Sequence, residues 1–342
     1  EPVFLAAIFH NNAKVFPAWS REMLRIIHYL GSENVFVSLV ESYSKDETPQ
    51  LLRSFDETLS KLHVRRKITA GDTSIPRPHN IISNQARIEF LAATRNLALE
   101  PLRTMKNFAH GRVLFSNDVF VTAEAVVDLL NMRAGDYDVA CGMDFDDFGL
   151  YDVWVTRDRL GSLVASVWPF ILEPSGRRSI EQNEPAEVFS CWNGITVLPA
   201  EPFLLPAHRD NATSKLSPQP LYPPLAHTHP AFETAIPPRL APALRFRTSG
   251  PKECFSSESF LISYDLRRQF GLDKFFVNPR VVVAYHRRFF FWNNHVLRHW
   301  IVKWWMRNVE RGRYLHRARI TLSNLGPEGI TLWDGGACHG SA

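Results

Sequence analysis

An apolar run that stops on an acid is the clearest candidate for chemistry in this chain. Residues 113–115 predict a buried strand, Asn117 and Asp118 follow where that strand ends, and residues 122–130 predict a helix. In an open α/β sheet, a carboxylate at the C-terminal end of a central strand points into the crevice where ligands bind. Asp118 could therefore hold a divalent cation that neutralises a diphosphate. The alternative is that Asp118 merely caps the next helix.

A cation site needs further ligands, and the strongest second candidate is His286. It follows the apolar run of residues 281–285, which predicts a strand. A histidine at a strand end can complete an octahedral site whose other ligands are diphosphate and water oxygens. The alternative is a surface histidine in a basic run with Arg287 and Arg288, whose guanidinium groups could themselves bind phosphate.

Polar groups also follow the first two predicted strands. His10, Asn11 and Asn12 come directly after the first strand, where nucleotide bases and phosphates usually meet this kind of sheet. Glu41 and Asp46 follow the second strand, where an acid commonly accepts hydrogen bonds from a ribose or a base edge. With Asp118, these side chains place polar groups at three strand ends.

A helix predicted over residues 88–102 carries a candidate anion ligand, Arg95. It shares a face with Arg87 and Leu91. An arginine on a mostly apolar helix needs an anionic partner, which a diphosphate or a buried carboxylate would provide. A solvated arginine is the alternative.

Carboxylates are dense in the segment after residue 143, which contains Asp144, Asp146, Asp147, Asp152 and Asp158. Together with Tyr151 and Trp154 they suit sugar recognition, since carboxylates bind hydroxyls and aromatic rings stack on sugar faces. A solvated or calcium-like acidic loop is the alternative, although the EF-hand spacing is missing. Further along, Glu253 and Glu258 flank Cys254 at a predicted helix start. One of these acids could cap the helix, and the other could face an acceptor hydroxyl.

The elements that must position these residues alternate along the first 145 residues. The pattern predicts strands over 3–9, 34–40, 64–68, 113–117 and 137–144, with helices over 16–30, 49–62 and 88–102. This alternation indicates an α/β protein with a parallel, Rossmann-like sheet. The dinucleotide glycine fingerprint is absent after the first strand, and no P-loop occurs, so NAD and ATP binding lose support.

The second half is less regular, and we divide the chain at 1–145, 146–294 and 295–342. Residues 188–198 predict a strand interrupted at Trp192-Asn193-Gly194, 257–270 a helix, and 274–285 a short strand pair. Residues 205–245 form a proline-rich excursion rather than a separate domain. An amphipathic helix over 295–310 carries three tryptophans beside basic residues. We expect this helix to dock on the core; the alternative is that it lies at a membrane surface.

The amino-acid composition limits the classes of function that this chain could have. The 342 residues are 45% hydrophobic and 22% charged, as in ordinary globular proteins, and the net charge of +4 is too mild to indicate a nucleic-acid partner. No run of 18 apolar residues occurs, and the chain begins with Glu1 rather than Met, which leaves room for an anchor or signal ahead of it. The four cysteines are widely spaced, which argues against structural zinc and allows one or two disulfides in a lumenal protein.

As a set, the motifs resemble one known family. They are AIFHNN (7–12), SLVESYSKDET (38–48), RN (95–96), FSNDVF (115–120), SCWNG (190–194), EC (253–254), SE (257–258), VNP (277–279) and VAY (283–285). The combination resembles the fungal capsule-associated α-1,3-mannosyltransferases, glycosyltransferase family 69, which includes cryptococcal enzymes. The resemblance covers roughly residues 3 to 290.

The resemblance implies a GT-A-like fold, GDP-mannose as donor, and manganese or magnesium as cofactor. It implies retaining α-1,3 transfer of mannose to a mannan-type polysaccharide or glycolipid. Residues 1–145 would bind the nucleotide sugar, and residues 146–294 the acceptor. It further implies a Golgi type II single-pass membrane protein, whose anchor would lie outside this chain. Asp118 would take the place of the metal-binding acid of an Asp-x-Asp motif. The first acid of that motif is replaced here by Ser116 or Asn117.

Taken together with the resemblance, the candidate residues are assigned the following roles. Donor contacts would come from His10, Asn11, Asn12, Glu41, Arg95, Asn117, Asp118 and Asp144. Acceptor contacts would come from Trp192, Asn193 and Glu253, the metal would be held by Asp118 and His286, and Asp152 and Glu258 would orient the donor sugar and acceptor. No covalent nucleophile stands out, so we expect the acceptor hydroxyl to attack from the face that the phosphate leaves.

Two other functions compete with transfer. One is a catalytically inactive, lectin-like glycan-binding module on the same fold, since the usual paired acids are not both present. The other is a glycosidase with a carboxylate pair among Asp144, Asp152, Glu253 and Glu258.

Overall fold

The computed structural model describes residues 1–78, 84–146, 149–210, 241–250, 255–310 and 313–323. The strands are β1 (Val3–Phe9), β2 (Val35–Ser42), β3 (Arg65–Asp72), β4 (Arg112–Ser116), β5 (Val139–Asp146), β6 (Gly149–Leu150), β7 (Arg157–Asp158), β8 (Ala186–Ser190), β9 (Ile195–Pro199) and β10 (Phe275–Ala284). The α-helices are α1 (Phe16–Leu30), α2 (Thr48–Lys61), α3 (Asn84–Leu99), α4 (Ala123–Leu130), α5 (Pro174–Gln182), α6 (Glu258–Phe270), α7 (Arg287–Phe291), α8 (Trp300–Asn308) and α9 (Arg313–Ser323).

Within the described ranges, these strands form one sheet in the order β3-β2-β1-β4-β9-β5-β10-β8-β7, with β6 paired to β5. Strands β1 to β5 and β10 run in the same direction, and β9 runs against its neighbours β4 and β5. The predicted α/β class with a mostly parallel central sheet is confirmed. Because the long strands share a direction, their carboxyl ends meet at one edge of the sheet.

Both faces of the sheet are covered, as a parallel sheet requires. In β1, Phe4 and Ala6 point into one buried cluster with side chains of α3 and α6. The alternate residues Val3, Leu5 and Ala7 point into a second cluster with α1, α2 and α4. This alternation follows from the two-residue period of a strand. Two apolar layers therefore hold the strand ends in fixed positions.

One sequence-based strand prediction was incomplete and another was wrong. The predicted strand over 188–198 is two strands: β8 pairs with β10, whereas β9 lies between β4 and β5. Asn193 and Gly194 cause the break, since their φ angles of 53° and 73° turn the chain in the left-handed region. The predicted pair over 274–285 is the single strand β10, whose register shifts between Val277 and Val282, around Pro279.

The C-terminal helix prediction also needs correction. The α-helix α8 begins at Trp300, and residues Trp292–Val296 form a π-helical turn before it. Most of the proline-rich excursion, 211–240, lies outside the described residues. The sheet runs through both the 1–145 and the 146–294 segments, so their functional division stays a prediction. No helix in the described part of the chain is long and apolar enough to cross a bilayer.

One disulfide lies in the core. It joins Cys141 in β5 to Cys191, which follows β8, with 6.2 Å between the two Cα atoms and a sequence separation of 50. The bond ties the centre of the sheet to the turn that contains Asn193. Cys254 and Cys338 lie outside the described residues.

Gly142 in β5 tests how tightly the sheet centre is packed. A Cβ atom added there would lie 2.8 Å from Ile195 Cγ2 and 2.9 Å from Val281 Cγ1. We expect Gly142→Ala to lower the free energy of unfolding by about 1–3 kcal/mol in urea titrations, because no space exists for the methyl group. In an Ile195→Ala background the same substitution should be less destabilising, since the γ2 methyl is gone. An undiminished loss would contradict this explanation.

Candidate active site

Three cavities meet at the edge of the sheet where the parallel strands end. The aromatic cavity, of about 610 Å³, is lined by Tyr151, Trp154, Trp192 and acids. The narrow cavity, of about 260 Å³, lies over the ends of β1 and β2. The wide cavity, of about 960 Å³, extends from the loop after β1 to the segment after β10. Asp118 lines all three, so its half-buried carboxylate marks the centre of the site.

Asp118 is held in the site by its neighbours and does not cap a helix. Thr122 performs that function, since its side chain accepts a hydrogen bond from Ala125 N (3.2 Å) at the start of α4. Asn12 Nδ2 donates to Asp118 Oδ2 at 2.6 Å. Burial raises the pKa of Asp118, although Asn12 and, more weakly, Arg95 act against that rise. Among the described residues Asp118 forms no ion pair, so its charged form would be stabilised by a cation.

The loop after β1 positions Asn12. Its backbone N donates to Thr48 Oγ1 (2.7 Å), and its Oδ1 accepts from His10 N (2.6 Å). His10 Nδ1 lies 2.8 Å from Ser42 O, at the end of β2. Asn11 adopts a φ of 55°, a left-handed conformation that asparagine tolerates well. The loop is therefore fixed to the end of the next strand before any ligand arrives.

Glu41 lies beneath these loops and is fully buried. Its Oε1 accepts from Ser44 N (2.9 Å) and its Oε2 from Gly71 N (2.6 Å). Both carboxylate oxygens therefore bind backbone N–H groups, one in the loop after β2 and one near the end of β3. Through these contacts Glu41 holds the loop after β2 against the end of β3. Its expected direct contact with a donor stays a prediction.

Arg95 forms a buried ion pair with Glu258. The Glu258 carboxylate is therefore the anionic partner that the sequence predicted for Arg95. Its Nη1 donates to the Glu258 carboxylate and, at 2.6 Å, to Ser259 Oγ. The guanidinium carbon lies 4.6 Å from the Trp192 ring centre and 5.5 Å from that of Phe246. A buried pair of this kind is strongly destabilised when one partner is removed. Arg95 and Glu258 thus form the wall of the aromatic cavity together.

A chain of hydrogen bonds runs from the aromatic cavity into the core. Trp192 Nε1 donates to Asn117 Oδ1 (3.2 Å), and Asn117 Nδ2 donates to the Tyr285 hydroxyl (3.4 Å). That hydroxyl donates to Asp144 Oδ2 at 3.3 Å. Burial, followed by the charge of Asp144, raises the pKa of Tyr285 well above its ordinary value, so the phenol stays a donor. The chain connects the ends of β4, β5 and β10.

Asp152 and Asp144 are neighbouring carboxyl groups, of which Asp144 is buried and Asp152 is half-buried at the cavity wall. Asp152 N donates to Asp144 Oδ1 (3.2 Å), and Asn193 N donates to Asp152 Oδ2 (3.0 Å). Burial raises the pKa of Asp152 to about 6, and Glu258 adds to the rise, while Asn193 and Arg95 oppose it. Burial and then Asp152 raise the pKa of Asp144 well above its ordinary value. Burial therefore disfavours the charged form of both carboxyl groups, and each holds its proton to a higher pH than an exposed aspartate does.

The turn Trp192-Asn193-Gly194 brings the second half of the chain to this pair. A Cβ atom on Gly194 would lie 3.0 Å from Asp144 Cβ and 2.9 Å from Val283 Cγ2, so only glycine fits. Asn193 is fully buried, with its Nδ2 donating to Gly142 O (3.0 Å) and its Oδ1 accepting from Thr156 Oγ1 (2.5 Å). Its amide supports the site from behind, and its expected contact with an acceptor stays a prediction.

The residues at the centre fit a cation that substrate oxygens help to hold. No group of three or more His, Cys, Asp or Glu side chains able to hold a metal ion occurs in the described ranges. Asp118 and His286 line the same wide cavity, but His286 is exposed and its Nε2 lies 3.8 Å from Asp146 Oδ1. Mg²⁺-like ions commonly bind through one or two carboxylates plus substrate phosphates. Asp118 meets that requirement, and ligation by His286 stays a prediction.

The structure sorts the predicted site residues into three groups. Those that line the cavities are His10, Asn11, Asn12, Arg95, Asn117, Asp118, Asp152, Trp192, Glu258 and His286. Glu41, Asp144 and Asn193 are buried behind them. Glu253 lies outside the described residues.

Sequence reasoning missed three residues of the site. Tyr285 joins two strand ends, Ser259 shares the Arg95 guanidinium, and Arg77 lines the narrow cavity with its guanidinium carbon 5.4 Å from the Phe90 ring centre. The position of Tyr285 at the end of an apolar run was a usable signal. Nothing local marked the other two.

An open, mostly parallel α/β sheet with an acid-lined crevice at its carboxyl edge defines the class: an α/β protein whose crevice lies where such sheets bind ligands. The profile of the family described as Cryptococcal mannosyltransferase 1 matches residues 2–265, and the chain belongs to that family. A curated relative, "Alpha-1,3-mannosyltransferase CMT1" of Cryptococcus neoformans var. neoformans, is 27% identical over 294 residues. That alignment covers 78% of this chain and 53% of the relative, so the chain spans about half of the relative's length.

Solved structures show weaker similarity. S. aureus TarS 1-349 aligns over 86% of this chain and 63% of its own, with 13% identity and a TM-score of 0.40. The mannosyltransferase PcManGT from Pyrobaculum calidifontis, solved with GDP-Man and Mn2+, aligns over 59% of this chain and 45% of its own, with 14% identity and a TM-score of 0.33. These scores are low, and the fold assignment rests on the strand order and on the family.

The raised pKa of Asp152 predicts a pH-dependent loss of stability. The unfolded carboxyl ionises near its ordinary value of 3.8 and the folded one at about 6, so stability falls as pH rises between these values. Each pH unit in that interval is equivalent to at most about 1.4 kcal/mol. We expect Asp152→Asn to remove this loss, so that urea unfolding shows a gain relative to wild type at pH 7 that is absent near pH 4.

The matched control is Asp136→Asn. A hydrogen bond from Lys274 lowers the pKa of the exposed Asp136 carboxyl, so its contribution is present at neutral pH and is lost on acidification. The control should therefore show no gain at pH 7. Parallel pH profiles for wild type and Asp152→Asn would contradict the burial of a charged Asp152.

Proposed function

We propose that this chain is a divalent-cation-dependent, retaining α-1,3-mannosyltransferase. The donor would be GDP-mannose, the cation Mn²⁺ or Mg²⁺, and the acceptor a mannose-containing polysaccharide or glycolipid of the mannan type. Family membership and the name of the curated relative support mannosyl transfer. The observation that carries the proposal is the position of Asp118, a desolvated carboxylate without an ion pair among the described residues, where three cavities meet.

The cavities match the parts of a sugar nucleotide. The narrow cavity offers Phe90 and Arg77 as flat faces for a base and Ser42 as a polar group. The aromatic cavity offers Trp154 and Asp152, which suit a sugar face and its hydroxyls. We place the nucleoside in the first cavity, the mannosyl group and acceptor in the second, and the diphosphate between them at Asp118.

The chain's own residues would then orient the reactants. Asp118, fixed by Asn12, would hold the cation, which supplies positive charge to the leaving diphosphate. Asp152, ionised above pH 6, would accept a hydrogen bond from a sugar hydroxyl, and the Arg95–Glu258 pair would form the opposite wall. The acceptor hydroxyl would approach on the face from which the phosphate leaves and pass its proton to the departing phosphate oxygen, so that no covalent protein intermediate forms.

Asp118→Asn tests the proposal directly. Asparagine keeps the size of the side chain but lacks the negative charge that a divalent ion requires. With Mn²⁺ present, we expect release of GDP from GDP-mannose to fall by about a hundredfold or more. The matched control is Asp136→Asn, which removes an exposed carboxylate at the opposite edge of the sheet and should leave turnover unchanged. Near-normal turnover in a folded Asp118→Asn protein would refute the assignment.

The pH dependence of turnover tests the part played by Asp152. The rate at low donor concentration should rise as pH increases through about 6, because the carboxylate form then accumulates. Asp152→Asn should be slower and should lack this rise. An unchanged inflection in the variant would assign the titration to another group.

A lectin-like binding module would give a different result in these assays. Wild-type protein that binds mannan oligosaccharides but releases no GDP from GDP-mannose, with Mn²⁺ or Mg²⁺, would support a binding module. Cleavage of a glycan without nucleotide would support a glycosidase.

We also propose that the protein works in the Golgi lumen, as a type II membrane protein in its full-length form. The buried Cys141–Cys191 disulfide supports an oxidising compartment. Immunofluorescence of the full-length protein beside Golgi markers would test this location.

A further inference from the structure

Helix α8 exposes the side that an amphipathic surface helix normally buries. Trp300, Ile301, Trp304 and Trp305 occupy one face, at positions i, i+1, i+4 and i+5. Their exposed fractions are 70%, 50%, 54% and 53%. We call these four residues the tryptophan face. Large apolar groups so close together on a surface usually mark an interaction site.

The opposite side of α8 already faces the protein. Lys303 and Met306 line a small cavity of about 110 Å³ together with Phe145 and Phe170. The sequence-based expectation that this helix docks on the core therefore concerns this side alone, and it stays a prediction. The tryptophan face is left for something outside the described residues.

The sequence around the tryptophan face is strongly basic. Residues 286–323 contain nine Lys and Arg residues and a single acid, Glu310. This excess of eight positive charges is larger than the net charge of +4 of the whole chain. Arg313 and Arg319 are exposed, and Arg317 pairs with Glu310. The occupant of the tryptophan face must therefore carry negative charge itself or tolerate the positive charge around it.

We propose that the tryptophan face binds the surface of a lipid bilayer with anionic headgroups. Tryptophan is favoured at the boundary between headgroups and acyl chains, where its ring is buried and its N–H stays hydrated. Arginines near the surface attract anionic lipids. A polyanionic glycan or nucleic acid would neutralise the arginines but would leave Ile301 and much of the indole surface in water. A bilayer satisfies both properties, as for interfacial helices in general.

The bound bilayer would lie near the opening of the candidate site. Phe290, Phe291 and His295, which precede α8 in the same segment, line the wide cavity with Asp118. Bilayer binding itself does not depend on the proposed transferase activity, and its test contains no nucleotide sugar.

Flotation with lipid vesicles tests the proposal. Wild-type protein should float with phosphatidylcholine–phosphatidylserine vesicles, less with pure phosphatidylcholine vesicles, and less again at high salt, which screens the charges. Replacing both Trp304 and Trp305 by Ser should lower the partition coefficient about tenfold or more. Both side chains are more than half exposed, so the variant should keep the wild-type circular dichroism spectrum and unfolding midpoint. Should that variant fail to fold, Ile301→Ser provides the same test with a smaller expected loss.

Tyr29→Ser is the matched control, because Tyr29 is 65% exposed on α1 and lies outside the tryptophan face. It should float like wild type. Absence of flotation with either vesicle, or equal flotation of the double serine variant, would overturn the proposal. Sedimentation equilibrium separates one further outcome: self-association that the double serine substitution abolishes, without vesicle binding, would instead make this face an interface between two copies of the chain.

Discussion

The structure depends on holding partly desolvated carboxylates at the edge where the parallel strands end. Asp118, Asp144 and Asp152 lie where burial raises the pKa of each, which means that their charged forms are destabilised relative to water. In most protein cores, such buried positions hold apolar side chains. Hydrogen bonds from Asn12, Tyr285 and the Asn193 backbone hold the acids in place. The site is therefore suited to bind a cation or hydroxyl groups that donate hydrogen bonds. Because the acids must be held in place for this, the surrounding residues are fixed by hydrogen bonds.

The sheet topology supplies this rigidity by joining distant parts of the chain. Strand β9 lies between β4 and β5, so the residues that precede it form a tight turn against both strand ends. The turn needs Gly194 because Asp144 and Val283 leave no room for a side chain. The Cys141–Cys191 disulfide fixes the same turn from the other side. The backbone N–H of Asn193 that binds Asp152 is thus positioned by core packing.

Local patterns in the sequence predicted the parts of the fold that local physics determines. Hydrophobic period and a closing glycine predicted β1 and α1 with the bounds that the structure shows, and the strand-end rule identified Asp118. The partners of the site could not be predicted in this way. Arg95 and Glu258 are 163 residues apart in sequence, and no local signal marks the carboxylate that an arginine will meet. Likewise, Glu41 and Asn193 had suitable chemistry, but only the tertiary structure shows that their polar atoms face inward.

The position of Asp118 also explains why a single acid stands at the end of β4. Ser116 is fully buried, and its hydroxyl accepts a hydrogen bond from Trp19 Nε1 at 2.9 Å, in a cluster of aromatic rings. A carboxylate there would be desolvated without access to the cavities. Asn117 uses both ends of its amide, accepting from Trp192 and donating to Tyr285, and an aspartate could not donate to that hydroxyl. Both preceding positions therefore support the fold, while Asp118 alone combines burial with access to all three cavities. A cation at this edge would consequently take its remaining ligands from the substrate, water and the segment after β10 rather than from β4.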